Sequence, residues 1–452
     1  MKGFKAYDIR GVYNKDFNSN DVYRIGHFLP DVLPAGRYLV GRDHRISSGE
    51  IRESLVDGLL SRGVDVYDMG LSTTPMVYYN AGRYHFDASV QITASHNSGE
   101  YNGFKVSGPN VVPIGYDNGL NRLEELVERA PLRKSSSRGR IIPLDGKAGF
   151  LDFVRRYHHP SIRQLKLAVD CSNGMAGYVI RDILGNQPFY INEEPDGRFP
   201  NHDPNPLKKE NQKDVQAAVL SEGLDAGVIY DGDADRVVFV DDKGRFVSPD
   251  LLIALMGHYF IDRRGERVLQ DIRSSRSVKE YLDAFGAEVH TWKVGRAFAC
   301  PRLRELDALY GGEFAGHYYF RDFYYSDSAM IATLSALEVI ARFRDKGVAF
   351  SGIIDNICRY SSSGELNYHI EKKQQAIEAV AGHFIAQEPP LDRMDFDGTR
   401  LDYDDWWINI RPSNTEPYLR VILEARTPDL LKDKMDVVQG ILKAYKQDGF
   451  NK

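Results

Sequence analysis

Apolar positions along the chain fall into short continuous runs alternating with helical spacing, and the alternation repeats. In YLVGRDHRISSGEIRESLVDGLLSRGVDVYDMG, 38–70, an apolar strand ends at Asp43, a Ser-rich segment offers a helix cap, an amphipathic helix follows, and a second strand covers 64–68. The same order returns in LKLAVDCSNGMAGYVIRDIL, where the strand ends at Asp170, and in RVLQDIRSSRSVKEYLDAFGAEVHTW, where it ends at Asp271. Strand, capped turn, helix and strand in series predict right-handed parallel βαβ units, because two parallel strands need a crossover between them. The repeat therefore predicts three related α/β domains with parallel or mixed sheets.

Beyond about residue 360 the pattern changes. A helical spacing runs over 372–387, strands are predicted in WWINIRP (406–412) and YLRVILEA (418–425), and a closing helix covers 428–446. This is a smaller α+β domain added after the other three. LRKSSSRGR, 132–140, reads as an exposed linker, and VSPD at 247–250 precedes a fresh helical run, LLIALMGHYFIDRR. The expected division is 1–145, 146–247, 248–361 and 362–452.

Length and composition agree with several ordinary globular units. A chain of 452 residues is too long for one core, and 42% hydrophobic with 27% charged residues indicates neither disorder nor a fibrous repeat. A net charge of -6, from 58 basic and 64 acidic residues, leaves no basic excess for nucleic acid. Cys171, Cys300 and Cys358 match no metal or disulfide spacing. The N-terminal MKGFKAYDIRG lacks the apolar centre of a signal peptide, and LLIALMGHYF is too short to cross a bilayer, so a cytoplasmic protein with no membrane partner is expected.

Four polar stretches carry candidate chemistry. TASHNSGEYNGFK, 93–105, holds Ser95, either a nucleophile awaiting activation from elsewhere or a serine in a polar turn. GVIYDGDADRVVFVDDKG, 227–244, places carboxylates at Asp231, Asp233 and Asp235 between two apolar strands. Such a cluster repels itself unless a cation joins it, and hard oxygen donors favour Mg2+ or Ca2+; a solvated acidic turn is the plain alternative. An EF-hand is excluded, because its sixth and twelfth loop positions hold Arg236 and Asp242 and a strand follows. GGEFAGHYYFRD, 311–322, offers Glu313 and His317 around Ala315, suited to sugar hydroxyls or to a structural turn. RPSNTEPYLR, 411–420, groups Arg411, Ser413, Asn414, Thr415 and Arg420, donors able to share the oxygens of a phosphate or to cap a turn.

Together, a serine, a divalent metal, a polyol-facing loop and a remote phosphate clamp specify phosphoryl transfer onto a sugar phosphate. Through FKAYDIRG, GRDHRISS, TASHN, YNGFK, PDGRFPNHDPNPL, DGDADR, GGEFAGH and RPSNTEP the chain resembles the α-D-phosphohexomutases, the phosphomannomutases and phosphoglucomutases, over nearly its whole length. The resemblance implies four domains around a central cleft, with Ser95 as phosphoserine holding Mg2+ together with Asp231, Asp233 and Asp235. It implies that Arg10, His96, Lys105 and Arg236 line the reacting centre. Glu313, Ala315, His317, Lys293 and Arg296 would face the sugar, and Arg411, Ser413, Asn414, Thr415 and Arg420 would hold the phosphate that is not transferred. The ligands implied are hexose phosphates and hexose 1,6-bisphosphate, and the protein is expected to be a monomer or small homo-oligomer.

Three positions depart from the family pattern: Ser98 stands where proline is usual after TASHN, Ala315 where serine is common, and Arg296 where histidine is usual. Arginine keeps the charge but cannot shuttle protons near neutral pH. The run HYYFRDFYYSDSAM most resembles bacterial phosphomannomutases, which ranks mannose phosphate ahead of glucose phosphate. Two other classes compete: a sugar-phosphate or partner binder without turnover, and a serine hydrolase. The hydrolase is discounted because no G-x-S-x-G elbow is present and because neighbours on an extended segment point apart, which separates His96 from Ser95.

Overall fold

The structure is a computed structural model and describes residues 1–133, 135, 137–413 and 418–445. The first unit carries β1 (Ile9–Val12), β2 (Arg37–Arg42), β3 (Asp65–Leu71), β4 (Ala88–Ile92), β5 (Tyr101–Ser107) and β6 (Ile141–Pro143), in the order β1-β5-β4-β2-β3-β6. The second has β7 (Leu167–Asp170), β8 (Phe189–Ile191), β9 (Ala226–Tyr230), β10 (Val237–Asp241) and β11 (Phe246–Val247), ordered β11-β10-β9-β7-β8. The third has β12 (Arg267–Asp271), β13 (Glu288–Trp292), β14 (Tyr310–Gly312), β15 (Tyr318–Phe320) and β16 (Ser326–Asp327), ordered β13-β12-β14-β15-β16.

All three follow one path. The first strand (β2, β7 or β12) lies centrally, with the next two parallel on either side of it. A fourth strand then returns antiparallel against the third. β4, β7, β9 and β10 are buried at every residue, as strands covered on both faces should be. The recurring aspartate has a shared local cause. Asp43, Asp170 and Asp271 each accept the backbone amide two residues on, at 3.1, 2.8 and 2.7 Å, so each closes the turn that carries the chain from strand to helix. The first strand stops at Arg42, one residue before the expected Asp43.

The periodicity predicted the βαβ part and not the antiparallel return. That return matters, because the turns between third and fourth strands are 93–100, 231–236 and 313–317, the same three stretches singled out for their chemistry.

The fourth unit is an antiparallel sheet of β17 (Ser361–Ser362), β18 (Leu366–His369), β19 (Asp392–Met394), β20 (Thr399–Asp402), β21 (Trp406–Pro412) and β22 (Tyr418–Ala425). Its order is β17-β22-β21-β20-β19, with β18 also on β22. Helices Lys373–Gln387 and Pro428–Lys443 pack on it around Phe384, Trp406, Val421 and Val438. Both expected strands appear with the expected bounds.

The segment read as a linker is more than that. Arg140 donates from its backbone to Asp65 at 2.8 Å, and β6 then adds to β3 as a parallel edge strand. Its residues are largely exposed, so no apolar alternation marked it. One apolar cluster runs through the first three units, including Tyr79, Phe150, Val228, Val268 and Ile331, and makes them one body. The fourth docks on the turn after β12: Arg276 reaches the carbonyls of Tyr403 and Asp404 at 2.5 and 2.7 Å, and Arg400 reaches those of Ile272 and Ser274 at 2.8 and 2.9 Å. No helix among the described residues is long and apolar enough to cross a membrane.

Candidate active site

Ser95 lies in the turn after β4 with φ +51°, a left-handed conformation that few non-glycine residues adopt. Its amide donates to Thr93 Oγ1 at 2.9 Å. The turn is gathered by one buried guanidinium: Arg45 donates to the carbonyls of Ser95, Asn97, Ser98 and Tyr101 at 2.9, 2.6, 2.5 and 3.1 Å, and is itself held by Asp43. The turn thus keeps its shape with Ser98 in place of proline.

The left-handed turn corrects one expectation. Ser95 is not on an extended segment, and its hydroxyl lies 3.5 Å from His96 Nδ1. The hydroxyl donates instead to Asp231 Oδ2 at 2.7 Å, which is the arrangement of a group held against acidic ligands. Burial, and then the nearby Arg236, Arg10 and Lys105 charges, hold the His96 imidazole well below its ordinary value, so it is neutral near pH 7.

Asp231, Asp233 and Asp235 are wholly buried and present oxygens within 4.8 Å of one another, so the solvated-turn reading fails. Gly232 between them lets the acidic turn meet the Ser95 peptide. Lys105, on β5, donates to Asp233 Oδ2 at 2.6 Å and also to Asp235. Thr74, at the start of the helix Thr74–Arg83, donates its hydroxyl to Asp233 Oδ2 at 2.5 Å and its amide to the Asp233 carbonyl at 3.1 Å. Asp233 Oδ1 and Asp235 Oδ1 remain buried with no hydrogen-bond partner among the described residues.

The electrostatics express the same crowding. Burial, followed by the charges of Asp233 and Asp235, pushes the Asp231 carboxyl well above the usual range. Burial works in the same direction on Asp235, but the Lys105 ammonium outweighs it and holds that carboxyl below its ordinary value. Three crowded carboxylates with buried, orphaned hard oxygens are a donor set that fits a divalent cation.

The third turn presents Glu313 and His317. Glu313 Oε1 accepts from Tyr319 Oη at 2.7 Å and from the Gly295 amide at 3.1 Å, and burial raises its carboxyl. His317 Nε2 accepts from Arg236 Nε at 2.9 Å, and its Nδ1 lies 2.7 Å from Asp327 Oδ2. Arg236 and His317 also pair through their backbones, joining the second and third turns. Arg296 stacks 3.9 Å from the Tyr78 ring and donates to Asp327 Oδ1 at 3.0 Å, to Ser326 Oγ at 3.2 Å and to the Val111 carbonyl at 3.3 Å. It therefore bears on His317 through Asp327. Burial opposes ionisation of Asp327, but His317 and Arg296 prevail and hold it at about 2.

Ala315 is half-buried within the turn, and Lys293 is half-buried with its ammonium 5.3 Å from the Phe298 ring. Arg10, on β1, donates to Asn97 Oδ1 at 2.8 Å and to Asp8 at 2.5 Å, and its Nε is buried without a hydrogen-bond partner among the described residues.

In the fourth unit, Arg411 on β21 lies directly across from Arg420 on β22. Like charges facing each other across a ladder repel, so the pair needs an anion between them. Glu365 supplies one carboxylate, 3.0 Å from Arg420 Nη1 and 3.6 Å from Arg411 Nη2. Ser413 follows β21, its amide donating to the Tyr418 carbonyl at 2.8 Å. Asn414 and Thr415 lie outside the described residues. The sequence reading missed Thr74, Arg45, Asp327 and Glu365. Thr74 meets Asp233 across 159 positions, and no local spacing announces such a contact.

A serine hydroxyl seated on a cation-ready carboxylate cluster, with guanidinium, ammonium and imidazole groups around it, defines a phosphoryl-transfer enzyme rather than a hydrolase. Comparison with known proteins agrees. The domains described as Phosphoglucomutase/phosphomannomutase, alpha/beta/alpha domains I, II and III, match residues 1–134, 148–244 and 248–359, and the C-terminal domain of the same family matches 365–441. A phosphomannomutase of Salmonella montevideo is 34% identical over 451 residues, covering 95% of this chain and 98% of that protein. A protein of Xanthomonas campestris pv. campestris named phosphohexose mutases is 33% identical over 450 residues, covering 98% of this chain and 99% of that one. The crystal structure of a phosphoglucomutase/phosphomannomutase family protein from Burkholderia thailandensis superposes with a TM-score of 0.86 at 28% identity, over 100% of this chain and 98% of that one. The chain belongs to the phosphoglucomutase/phosphomannomutase family.

Proposed function

We propose that this enzyme interconverts hexose 6-phosphates and hexose 1-phosphates through a phosphoserine at Ser95 and a hexose 1,6-bisphosphate intermediate, with Mg2+ bound by Ser95, Asp231, Asp233 and Asp235. The observation that carries the reading is the 2.7 Å hydrogen bond from Ser95 Oγ to Asp231 Oδ2, which puts the serine and the acidic cluster in one pocket. Mg2+ held by these residues would neutralise the charge of the phosphoryl group. In the first half-reaction the phosphorus–oxygen bond to Ser95 breaks as one forms to the free sugar hydroxyl, whose proton leaves to a neighbouring base. Lys105, Arg10 and Arg236 stabilise the charge spread over the phosphoryl oxygens, and His96 lies within reach of the reacting oxygen.

Glu313 and His317, with the Ala315 turn, Lys293 and Arg296 behind them, receive the hydroxyls. Arg411, Ser413, Asn414, Thr415 and Arg420 hold the other phosphate. The bisphosphate then turns end for end and returns its second phosphoryl group to Ser95, so both halves use one set of charges. Mannose phosphate is the preferred substrate, which the 34% identity to a phosphomannomutase supports. A higher kcat/KM for glucose 1-phosphate than for mannose 1-phosphate would reverse that order.

Intact-protein mass tests the covalent step. The expected result is an added phosphoryl mass that disappears on exposure to hexose monophosphate and is absent from Ser95→Ala, which loses essentially all turnover. Unchanged turnover in Ser95→Ala refutes the phosphoserine, and full-affinity binding with no turnover by the unmodified, Mg2+-loaded protein favours a binder.

A further inference from the structure

The motif PDGRFPNHDPNPL, 195–207, has no part in the roles above. It follows β8 and is tied to the second unit by side chains: Asn201 donates to Asn173 Oδ1 at 2.9 Å, and Asn211 Nδ2 donates to the carbonyls of Asp203 and Asn205 at 2.8 and 2.9 Å. Its first half lies on the first unit. Gly197 meets the backbone of 44–46 so closely that an added methyl would stand 2.5 Å from the His44 carbonyl oxygen and 2.8 Å from the Arg45 α-carbon. Farther along, Pro204 packs against Gly232 of the acidic turn. The loop thus touches both the segment that holds the Ser95 turn and the turn that carries the carboxylates.

Phe199 is the side chain that the loop offers to Arg45. Its φ of +49° is left-handed, which is rare for a bulky residue, and its amide donates to the Asp196 carbonyl at 2.8 Å. The ring is only 6% exposed, stands edge-on to His44 with centroids 5.5 Å apart, and has the Arg45 guanidinium over it, 4.8 Å from its centroid. Arg45 is already saturated in its own plane. Nε bonds to Asp43, Nη1 to the carbonyls of Ser98 and Tyr101, and Nη2 to those of Ser95 and Asn97, which uses every N–H that a guanidinium has. Those bonds resist sliding within the plane, and only the two faces are left. Burial works against the Arg45 charge, and the negative face of an aromatic ring attracts a cation there.

We propose that Phe199, contributed by the second unit, is a positioning residue for phosphoryl transfer at Ser95: its ring holds the Arg45 guanidinium flat, and the guanidinium fixes the four carbonyls that shape the Ser95 turn. The proposal rests on the reading of Ser95 as the phosphoserine. Serine and acidic turn come from different units, and a loop from the unit of the carboxylates that grips the serine turn keeps the two in register. The left-handed backbone of Phe199 is the kind of strain that persists where surrounding contacts over-determine a conformation.

Steady-state kinetics with mannose 1-phosphate at saturating Mg2+ tests this on the full chain, with urea unfolding alongside to show that each variant is folded. Phe199→Leu keeps an apolar side chain and removes the ring face, so kcat is expected to fall about tenfold while KM stays within about threefold. Phe199→Tyr retains the face, and its kcat is expected to stay within about threefold of the parent. In an Arg45→Lys background, which lacks the guanidinium, Phe199→Leu is expected to cost less than about twofold more. An unchanged kcat in Phe199→Leu, a Phe199→Tyr enzyme as slow as Phe199→Leu, or the full tenfold loss repeated in the Arg45→Lys background overturns the proposal. Should Phe199→Leu or Arg45→Lys not fold, pentafluorophenylalanine at position 199 keeps the shape of the ring and reverses the charge of its face; a loss of about tenfold in kcat is again expected, and a kcat within about threefold overturns the proposal equally. Turnover that survives Ser95→Ala defeats the phosphoserine reading itself, so the two failures are told apart.

Discussion

Gly232 separates two of the acidic residues, and its α-carbon faces the Ser95 peptide. A methyl group added there would stand 2.5 Å from the Ser95 carbonyl oxygen and 3.3 Å from Pro204 Cβ, whereas ordinary contact begins at 3.4 Å. Gly232→Ala therefore forces the two turns apart by about 0.9 Å. Its φ is not in the left-handed region, so the effect is steric and not backbone strain. The Ser95 turn cannot yield alone, because Arg45 holds its carbonyl at 2.9 Å along with three others. The 2.7 Å bond between Ser95 and Asp231 must then open by a similar amount. A displacement of about 1 Å at a reacting centre lowers kcat by roughly a hundredfold, and the crowding costs about 1–3 kcal/mol of stability. Under the proposed substrate roles of the third and fourth units, KM for hexose phosphate is expected to stay within about threefold. Steady-state mutase kinetics at saturating Mg2+, with urea unfolding in parallel, measures both. Gly49→Ala, where nothing lies within 4 Å of the added methyl, serves as control. A Gly232→Ala enzyme with kcat within about threefold of its parent refutes the reasoning.

Two further predictions address groups outside the motifs. Thr74→Val removes the hydroxyl that orients Asp233, so the Mg2+ concentration for half-maximal activity is expected to rise about tenfold or more while kcat at saturation changes less; an unaltered Mg2+ requirement contradicts the orienting role. Glu424 is buried and receives Trp407 Nε1 at 2.8 Å; burial, then the Asp250 charge, lifts its carboxyl from 4.5 to about 7. Between those two values the native state keeps a proton that the unfolded chain has lost, so this group's stabilisation is complete below pH 4.5 and falls as pH rises to about 7, by about 3 kcal/mol at most. In urea unfolding from pH 5 to 8, Glu424→Gln should lose less stability than its parent, and parallel profiles would show that Glu424 is not the proton carrier.

The parts of the fold that were legible have local causes. β21 and β22 are apolar-rich runs with clear ends, and the turns after β7 and β12 are closed by the aspartates that ended the expected strands. β6, directly after the stretch read as a linker, went unrecognised because an exposed edge strand carries no buried face. Within the site, Ser95 and the three aspartates stand out because polar and acidic groups interrupt apolar strands. Asp327 does not, since its meaning comes from His317 on one side and Arg296 on the other. The left-handed φ of Ser95, which brings His96 close, is likewise invisible to an alternation rule that assumes extended backbone.

Residue order settled what can be decided within some twenty positions: strand, turn and helix repeated three times, an α+β tail, and the types of chemical group in each turn. Apolar spacing and short-range hydrogen bonds act at that range, so they are written in the order of residues. Which groups meet was decided by folding alone. Ser95 reaches Asp231 across 136 positions and Lys105 reaches Asp235 across 130, because sheets of like topology bring their third-to-fourth strand turns together and the burial of their shared core holds them there.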